Sequence, residues 1–292
     1  MAETTLTEVQ AQVKKYWSEM FMPELRENHP LISLIDKTYE GEIKRQGNEV
    51  RVSQIVKAVG ETVVLSGAAT DNKFNPETLQ TRFVDIKADR RFVASYKFHD
   101  LVDLQSQITA ERSDIREALL EGVSTQMNNF LYSLTAPIAA QALTGVANMD
   151  AATLKAVRVI AGKQKWFKSP GWYALLSPDY YGDIMSEVTL TSSDFVSDQP
   201  LVGGEIATRR YGFNVIEDNS DGLAAVSPTP GNPSAIFFHP AYCHMVTQMT
   251  ARFKISDLHS NEEFGYLISV DVIGGASIGI EGDKLHVSVV NI

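Results

Sequence analysis

The stretch Trp172-Tyr173-Ala174-Leu175-Leu176-Ser177-Pro178-Asp179-Tyr180-Tyr181-Gly182-Asp183-Ile184-Met185 decides how this chain is read. Trp172 to Leu176 is a short apolar run, the pattern of a buried strand. Ser177 at a cap position and Pro178 in the first turn then open a helix, because proline lacks only an N–H that has no partner there anyway. That helix is expected over 179–188 and stops in a Thr/Ser run at 189–193. Three further pieces follow in order: Gly203-Gly204-Glu205-Ile206, then Tyr211-Gly212-Phe213-Asn214-Val215, then Ala235-Ile236-Phe237-Phe238-His239-Pro240.

From Phe213 onward the pattern is of short strands between turns. Pro228, Pro230, Gly231 and Pro233 mark a loop, and Ile236–Phe238, Leu267–Ile273 and Leu285–Val290 read as the later strands. Upstream, Leu154, Val157, Ile160 and Ala161 put a helix over 150–167. The strongest periodicity lies over 109–135, where Ile115, Leu119, Val123, Met127 and Leu131 recur every fourth residue. Thr109 suits its cap, Glu111 and Asp114 suit its positive end, and Pro137 stops it.

Residues 36–65 turn to strand, with Val50 and Val52 alternating with polar neighbours and Gly47-Asn48 marking a turn. After a polar, aperiodic stretch at 66–81, alternation returns in Val84, Ile86 and Ala88 and in Phe92, Ala94, Tyr96 and Phe98. Two strands joined by a polar tip describe a long hairpin, which is not stable alone in water. Residues 5–36 read as short helices sharing one apolar stripe (Leu6, Val9, Val13, Trp17, Met20, Phe21) and broken by Pro23 and Pro30. Helices mixed with hairpins make the fold class α+β. No repeat of solenoid length is present.

Bulk properties narrow the function. The chain has 292 residues, is 44% hydrophobic and 21% charged, and carries a net charge of −10. This permits a packed core, and the negative charge disfavours tight sequence-independent DNA binding, which needs Lys and Arg to displace counterions. The single cysteine, Cys243, cannot form an internal disulfide. No apolar run reaches transmembrane length and the N-terminus lacks a secretory pattern, so the chain is expected to be made in a reducing cytoplasm.

Motifs that carry chemistry are few. Gly275-Ala276-Ser277-Ile278-Gly279 matches G-x-S-x-G, but a nucleophile elbow needs a helix after the serine, and Glu281-Gly282-Asp283 and another strand follow instead. Cys243 and His244 are neighbours on a strand and should face opposite ways. The histidines show no metal spacing, Asp218-Asn219-Ser220-Asp221-Gly222 lacks the closing Glu of a calcium loop and reads as a turn, and there is no phosphate loop or dinucleotide fingerprint. No enzyme, metal or cofactor is expected. Basic clusters at Lys44, Arg45 and Arg51, at Arg209-Arg210 and at Lys163, Lys165 and Lys168 read as solvated faces, subunit salt bridges or sites of weak nonspecific contact with DNA.

The order of these pieces resembles the major capsid proteins of tailed bacteriophages, which share the Hong Kong 97 capsid fold. The resemblance rests on Tyr39-Glu40-Gly41-Glu42, the hairpin, the Ser113–Leu134 helix, Leu176–Tyr180, Tyr211–Val215 and Phe237–Ala241. It implies an N-terminal arm (1–45), an extended loop (46–98), a peripheral domain with a spine helix (99–145 and 236–265) and an axial domain (146–235 and 266–292). It also implies a structural subunit that forms pentamers and hexamers, closing an icosahedral or prolate head around double-stranded DNA. Trp17, Lys44, Arg45, Arg51, Lys73 and Phe74 are then expected at contacts of the arm and loop with neighbouring copies, and Arg209 and Arg210 at axial contacts. Scaffolding, portal and decoration proteins are implied partners, no membrane is, and the protein is placed in the virion after assembly in the host cytoplasm. Lys73 near the hairpin tip has no matching acid–base set, so a covalent Lys–Asn link is not expected. The same fold also serves an encapsulin-like nanocompartment shell, the alternative.

Overall fold

A computed structural model describes residues 27–46, 49–62, 76–99, 113–135, 142–187, 209–258 and 265–291. The chain runs α1 (Pro30–Leu34), α2 (Glu40–Gln46), β1 (Glu49–Ile55), β2 (Thr81–Lys87), β3 (Arg90–His99), α3 (Ser113–Leu134), β4 (Ala142–Thr144) and α4 (Ala151–Lys163). It continues through β5 (Trp172–Leu176), α5 (Pro178–Ser186), β6 (Arg209–Arg210), β7 (Phe213–Glu217), α6 (Asp221–Ala224), β8 (Ser234–Phe238), β9 (Cys243–Asp257), β10 (Gly265–Ile278) and β11 (His286–Val290). This is the α+β class expected.

The strands form three sheets. β1 and β2 make a two-stranded antiparallel ribbon. β3, β10 and β9 make a three-stranded antiparallel sheet with β10 in the middle, and the third sheet has the order β4-β11-β8-β5-β7-β6. In the last, β5 runs parallel to β7 and β11 parallel to β4, so it is mixed rather than built of hairpins alone. Its central strands β5, β8 and β11 are almost wholly buried, β5 and β8 as near-continuous apolar runs and β11 with His286 and Ser288 buried among its valines, the pattern of strands covered on both faces.

The helix α3 lies on the three-stranded sheet. Gly122 passes close to Ala94, Phe130 meets Phe92 with ring centroids 5.7 Å apart, and the Arg116 guanidinium lies 5.2 Å from the Phe253 ring. Its 22 residues span about 33 Å. The expected positions Leu119, Val123, Met127 and Leu131 are its buried stripe; Thr109 and Pro137 lie outside the described residues.

Three expectations are corrected. Residues 40–46, read as strand within 36–65, form the helix α2, because Ile43 has a pocket between the ribbon and β9 that local pattern does not reveal. Ile43 is buried with Ile86, Ala88 and Val246 in a small core of their own, with Tyr39, Val50 and Val52 packed against it. Second, the hairpin's return strand is not continuous from 84 to 98. β2 ends at Lys87, and β3 leaves the ribbon to pair with β10. Third, the strands after Phe213 are not all short: β9 and β10 are 15 and 14 residues long. β8 lies in the six-stranded sheet, and β10 pairs along its length with β3 and β9.

Asp150 caps α4 by accepting from the Thr153 N–H (2.7 Å), which holds its carboxyl below the usual carboxylate range. Ser177 sits at the start of α5, but its Oγ accepts from the Ser234 N–H (3.3 Å) across to β8 instead of capping. Asp218 to Gly222, read as a turn, is the buried entry to α6. The Asp218 carboxylate accepts from the Tyr132 hydroxyl of α3 and from the Ser220 N–H (2.8 Å). Burial, and then the facing Asp218 charge, push the Tyr132 phenol well above its ordinary range. A side chain on Gly222 would collide with Tyr132 and Asn129, so the entry is packed directly on the helix. Asp218→Ala leaves two buried donors without an acceptor, and we expect a loss of about 3 kcal/mol, read as a lower midpoint in urea unfolding.

Candidate assembly surfaces

Among the described residues, the ribbon of β1 and β2 is anchored at its base, where Ile86 and Ala88 pack with Ile43 and Val246. The register pairs Glu49 with Lys87, Arg51 with Asp85, Ser53 with Phe83 and Ile55 with Thr81. Directly opposed residues share a face, so the even-numbered set (Val50, Val52, Val84, Ile86) turns toward the small core and the odd-numbered set turns away. The Val56 N–H donates to the Gln80 carbonyl (2.9 Å), continuing the ladder one step. Carrying the register two rungs further puts Leu79 and Val59 on the odd face as well. That face therefore bears Phe83, Ile55, Leu79 and Val59, which are 61%, 67%, 71% and 78% exposed. Isolated exposed apolar residues are common, but four aligned on one face of a protruding ribbon are the mark of a contact surface.

Arg51, an expected contact residue, lies on this same face. Its guanidinium forms a two-pronged pair with Asp85 (2.7 and 2.9 Å) and lies 4.5 Å from the Phe83 ring centre. Hydrogen bonding to Arg51 holds the Asp85 carboxyl below its usual range. The arginine thus orients Phe83 and stiffens the ribbon within one copy. Lys44 and Arg45 fall on α2, and nothing further is described of their side chains. Trp17, Lys73 and Phe74 lie outside the described residues. Arg209 and Arg210 form β6 at the edge of the six-stranded sheet, where Arg209 is exposed and the buried Nε of Arg210 has no partner among the described residues.

The face of the three-stranded sheet opposite α3 carries a second charged network. Asp271 accepts from Arg252 (2.6 and 3.2 Å) and lies 3.4 Å from Arg91. The hydrogen bond from Arg252 holds the Asp271 carboxyl low.

The G-x-S-x-G residues lie at the end of β10, with Ser277 opposite His244 on β9. The His244 ring bonds Asp36 through Nδ1 (2.9 Å), so the three residue types of a hydrolytic triad share one neighbourhood. They are not joined as one. Ser277 Oγ donates to the Ile278 carbonyl (3.4 Å) instead of to the ring, and the other ring nitrogen faces the Gly279 backbone. The His244–Asp36 pair instead fastens the entering chain to β9, together with the Met245 N–H donating to the Asp36 carbonyl (3.0 Å). Burial alone would raise the Asp36 carboxyl, but bonds from Thr38 and the nearby His244 outweigh it and hold it low. A three-residue 3₁₀ turn (Gly282–Lys284) and the strand β11 follow Ser277, not the α-helix that a nucleophile elbow requires. Cys243 is buried, and desolvation pushes its thiol up to about 12, so it is inert at neutral pH. Among the described residues no three His, Cys, Asp or Glu side chains gather into a metal site, and no helix is long and apolar enough to cross a membrane.

The family described as phage capsid protein matches residues 105–284. Among solved structures, one from Mycobacterium phage Che8 is 19% identical and superposes with a TM-score of 0.74 over 96% of both chains. A capsid protein of cyanophage P-SCSP1u is 12% identical, with a TM-score of 0.72 over 100% of this chain and 97% of its own. One from the capsid of cyanophage Pam1 is 11% identical, with a TM-score of 0.67 over 100% and 99%. No curated protein matches in sequence.

Proposed function

This chain belongs to the phage capsid protein family and is a structural subunit with the Hong Kong 97-like fold, and we propose that its copies form pentamers and hexamers that close an icosahedral or prolate head around double-stranded DNA. The family match favours this over the encapsulin-like alternative. The observation that carries the reading is the exposed apolar face of the ribbon. Four large apolar side chains stand mostly exposed on one face of the ribbon, so a neighbouring copy is their natural cover.

We assign the peripheral body to α3 with the three-stranded sheet, the axial body to the six-stranded sheet, the arm to 1–45, and the extended loop to the part of 46–98 that precedes β3. A subunit of this shape makes head-to-tail contacts, which close into rings when the rotation closes. Obligate interfaces of this kind bury more than about 2,000 Å². Because each copy makes several contacts, individually weak ones sum to a firm shell. The contact residues proposed for the arm and loop are Trp17, Lys44, Arg45, Arg51, Lys73 and Phe74, with Arg209 and Arg210 at the axial contacts. Scaffolding, portal and decoration proteins are further proposed partners. The net charge of −10 suits only weak contact with packaged DNA.

Negative-stain images and sedimentation of the full-length chain, expressed alone and with a scaffolding protein, test the reading. Rings or closed shells are expected. Solitary monomers at high concentration in both preparations overturn it.

A further inference from the structure

We propose that the loop of residues 164–171, between α4 and β5, is the seat on which the apolar end of a second copy's ribbon docks. The inference rests on the shell reading above and names a partner surface for the ribbon's exposed face.

The loop is held unusually firmly for a surface connection. The Trp166 indole N–H donates to the Lys284 carbonyl (2.6 Å), and the Trp172 indole N–H donates to the Phe167 carbonyl. His239 donates from Nε2 to the Ser169 carbonyl (3.0 Å) while its Nδ1 accepts from the Ala241 N–H (3.2 Å), so one tautomer satisfies both bonds. Lys165 sits in the left-handed region (φ 59°), a conformation that a non-glycine residue keeps only where its surroundings impose it.

All this rigidity displays one aromatic side chain. Phe167 is 57% exposed, its ring edge-on to His239 at 5.7 Å. Lys163, Lys165 and Lys168 are exposed around it. Residues 151–178 carry no Asp or Glu in a chain whose net charge is −10, so positive charge is segregated along this stretch of sequence. A fixed aromatic amid cations is a preorganised anchor, and preorganisation lowers the ordering cost of binding. Its partner must offer apolar surface with carboxylates beside it.

The far end of the ribbon has that chemistry. Val59 and Leu79 are its most exposed large apolar residues. Glu77 is held next to Val59 by accepting from its N–H (3.1 Å), and Glu61 lies two residues on from Val59, with Lys57 the cation nearest them in the first segment. Within one copy Phe167, Val59 and Leu79 are all exposed, so the two surfaces do not cover each other, and the match is between copies.

Cysteine pairs in the full chain test this directly. The variants Leu79→Cys/Phe167→Cys and Val59→Cys/Phe167→Cys are oxidised after assembly and run on non-reducing gels, with Cys243 left in place because its buried thiol is inert. A disulfide forms only when the two Cα atoms approach within about 7 Å, so a cross-subunit ladder reaching ring size, about tenfold above the single variants, is expected for at least one pair. A charge reversal supplies the second arm: Lys165→Glu/Lys168→Glu should cut shell yield without shifting the subunit's melting, and Glu61→Lys/Glu77→Lys should restore it. Shells that form with neither ladder nor rescue overturn the docking seat and leave the shell reading standing. Capture of an acidic accessory protein on Phe167 in place of a second copy overturns it too. If no variant and no parent chain assembles, the shell reading itself fails.

Discussion

Gly275→Ala is expected to abolish the folded subunit, while Ser277→Ala, two residues away in the same G-x-S-x-G motif, leaves it intact. A side chain at 275 would be driven into the carbonyl oxygen of Lys87, with the Lys87 carbonyl carbon at 3.0 Å and the Ala88 Cα at 3.3 Å. All three are backbone atoms, so no rotamer change relieves the clash. The segment they belong to turns the chain from β2 into β3, and Ile86 and Ala88 on it are half of the small core that roots the ribbon. Overpacking a flexible core costs about 1–3 kcal/mol, and pushing aside a backbone crossing should cost about 4 kcal/mol or more. Ser277 contributes one weak bond to its neighbour's carbonyl and should change stability by less than about 0.5 kcal/mol. Soluble yield and thermal melting of the two variants read the contrast. A Gly275→Ala subunit that melts within a few degrees of the parent would show that the crossing is looser than its geometry.

The second large effect lies on the opposite side of the same ribbon. Ile55→Asp combined with Leu79→Asp should stop assembly without altering the subunit. Both side chains are mostly exposed in one copy, so the isolated fold loses almost nothing. In a contact each would bury apolar area at about 25 cal/mol per Å², and a carboxylate in its place must be desolvated as well. A loss of about 3 kcal/mol per contact raises the concentration needed for association about a hundredfold. Since every copy repeats the contact, sedimentation should move from shells to subunits while the melting curve stays put. Unchanged shells would place the apolar face elsewhere than at an interface.

Much of this molecule could be read from residues alone. The fourfold recurrence of Leu119, Val123, Met127 and Leu131 marks the stripe that α3 buries. The apolar run Trp172–Leu176 is β5, and Ser177-Pro178 starts α5 one residue from the expected position. What failed did so for identifiable reasons. The helix α2 contains only one buried apolar residue, Ile43, too little for a period to show. The alternation through 84–98 keeps the same parity on both sides of Arg90, yet it spans two strands in different sheets, because period two states that a strand has two faces and says nothing of its partner. The exposed apolar face was missed for the same reason. Ile55, Leu79 and Phe83 align only once the register across the ribbon is known, and 66–81 looks merely polar from its composition.

Local signals therefore determined element type, the acidic character, the α+β class and, through the order of its motifs, the resemblance to phage capsid proteins. Tertiary structure alone decided that β3 deserts the ribbon for β10, that the Gly274–Gly275 pair is a backbone crossing and not a catalytic turn, and which side of the ribbon is left bare. The physical reason is range. Propensity and periodicity act over a few residues, whereas strand partners, close crossings and uncovered faces are set by atoms far apart in the chain that meet only when it folds.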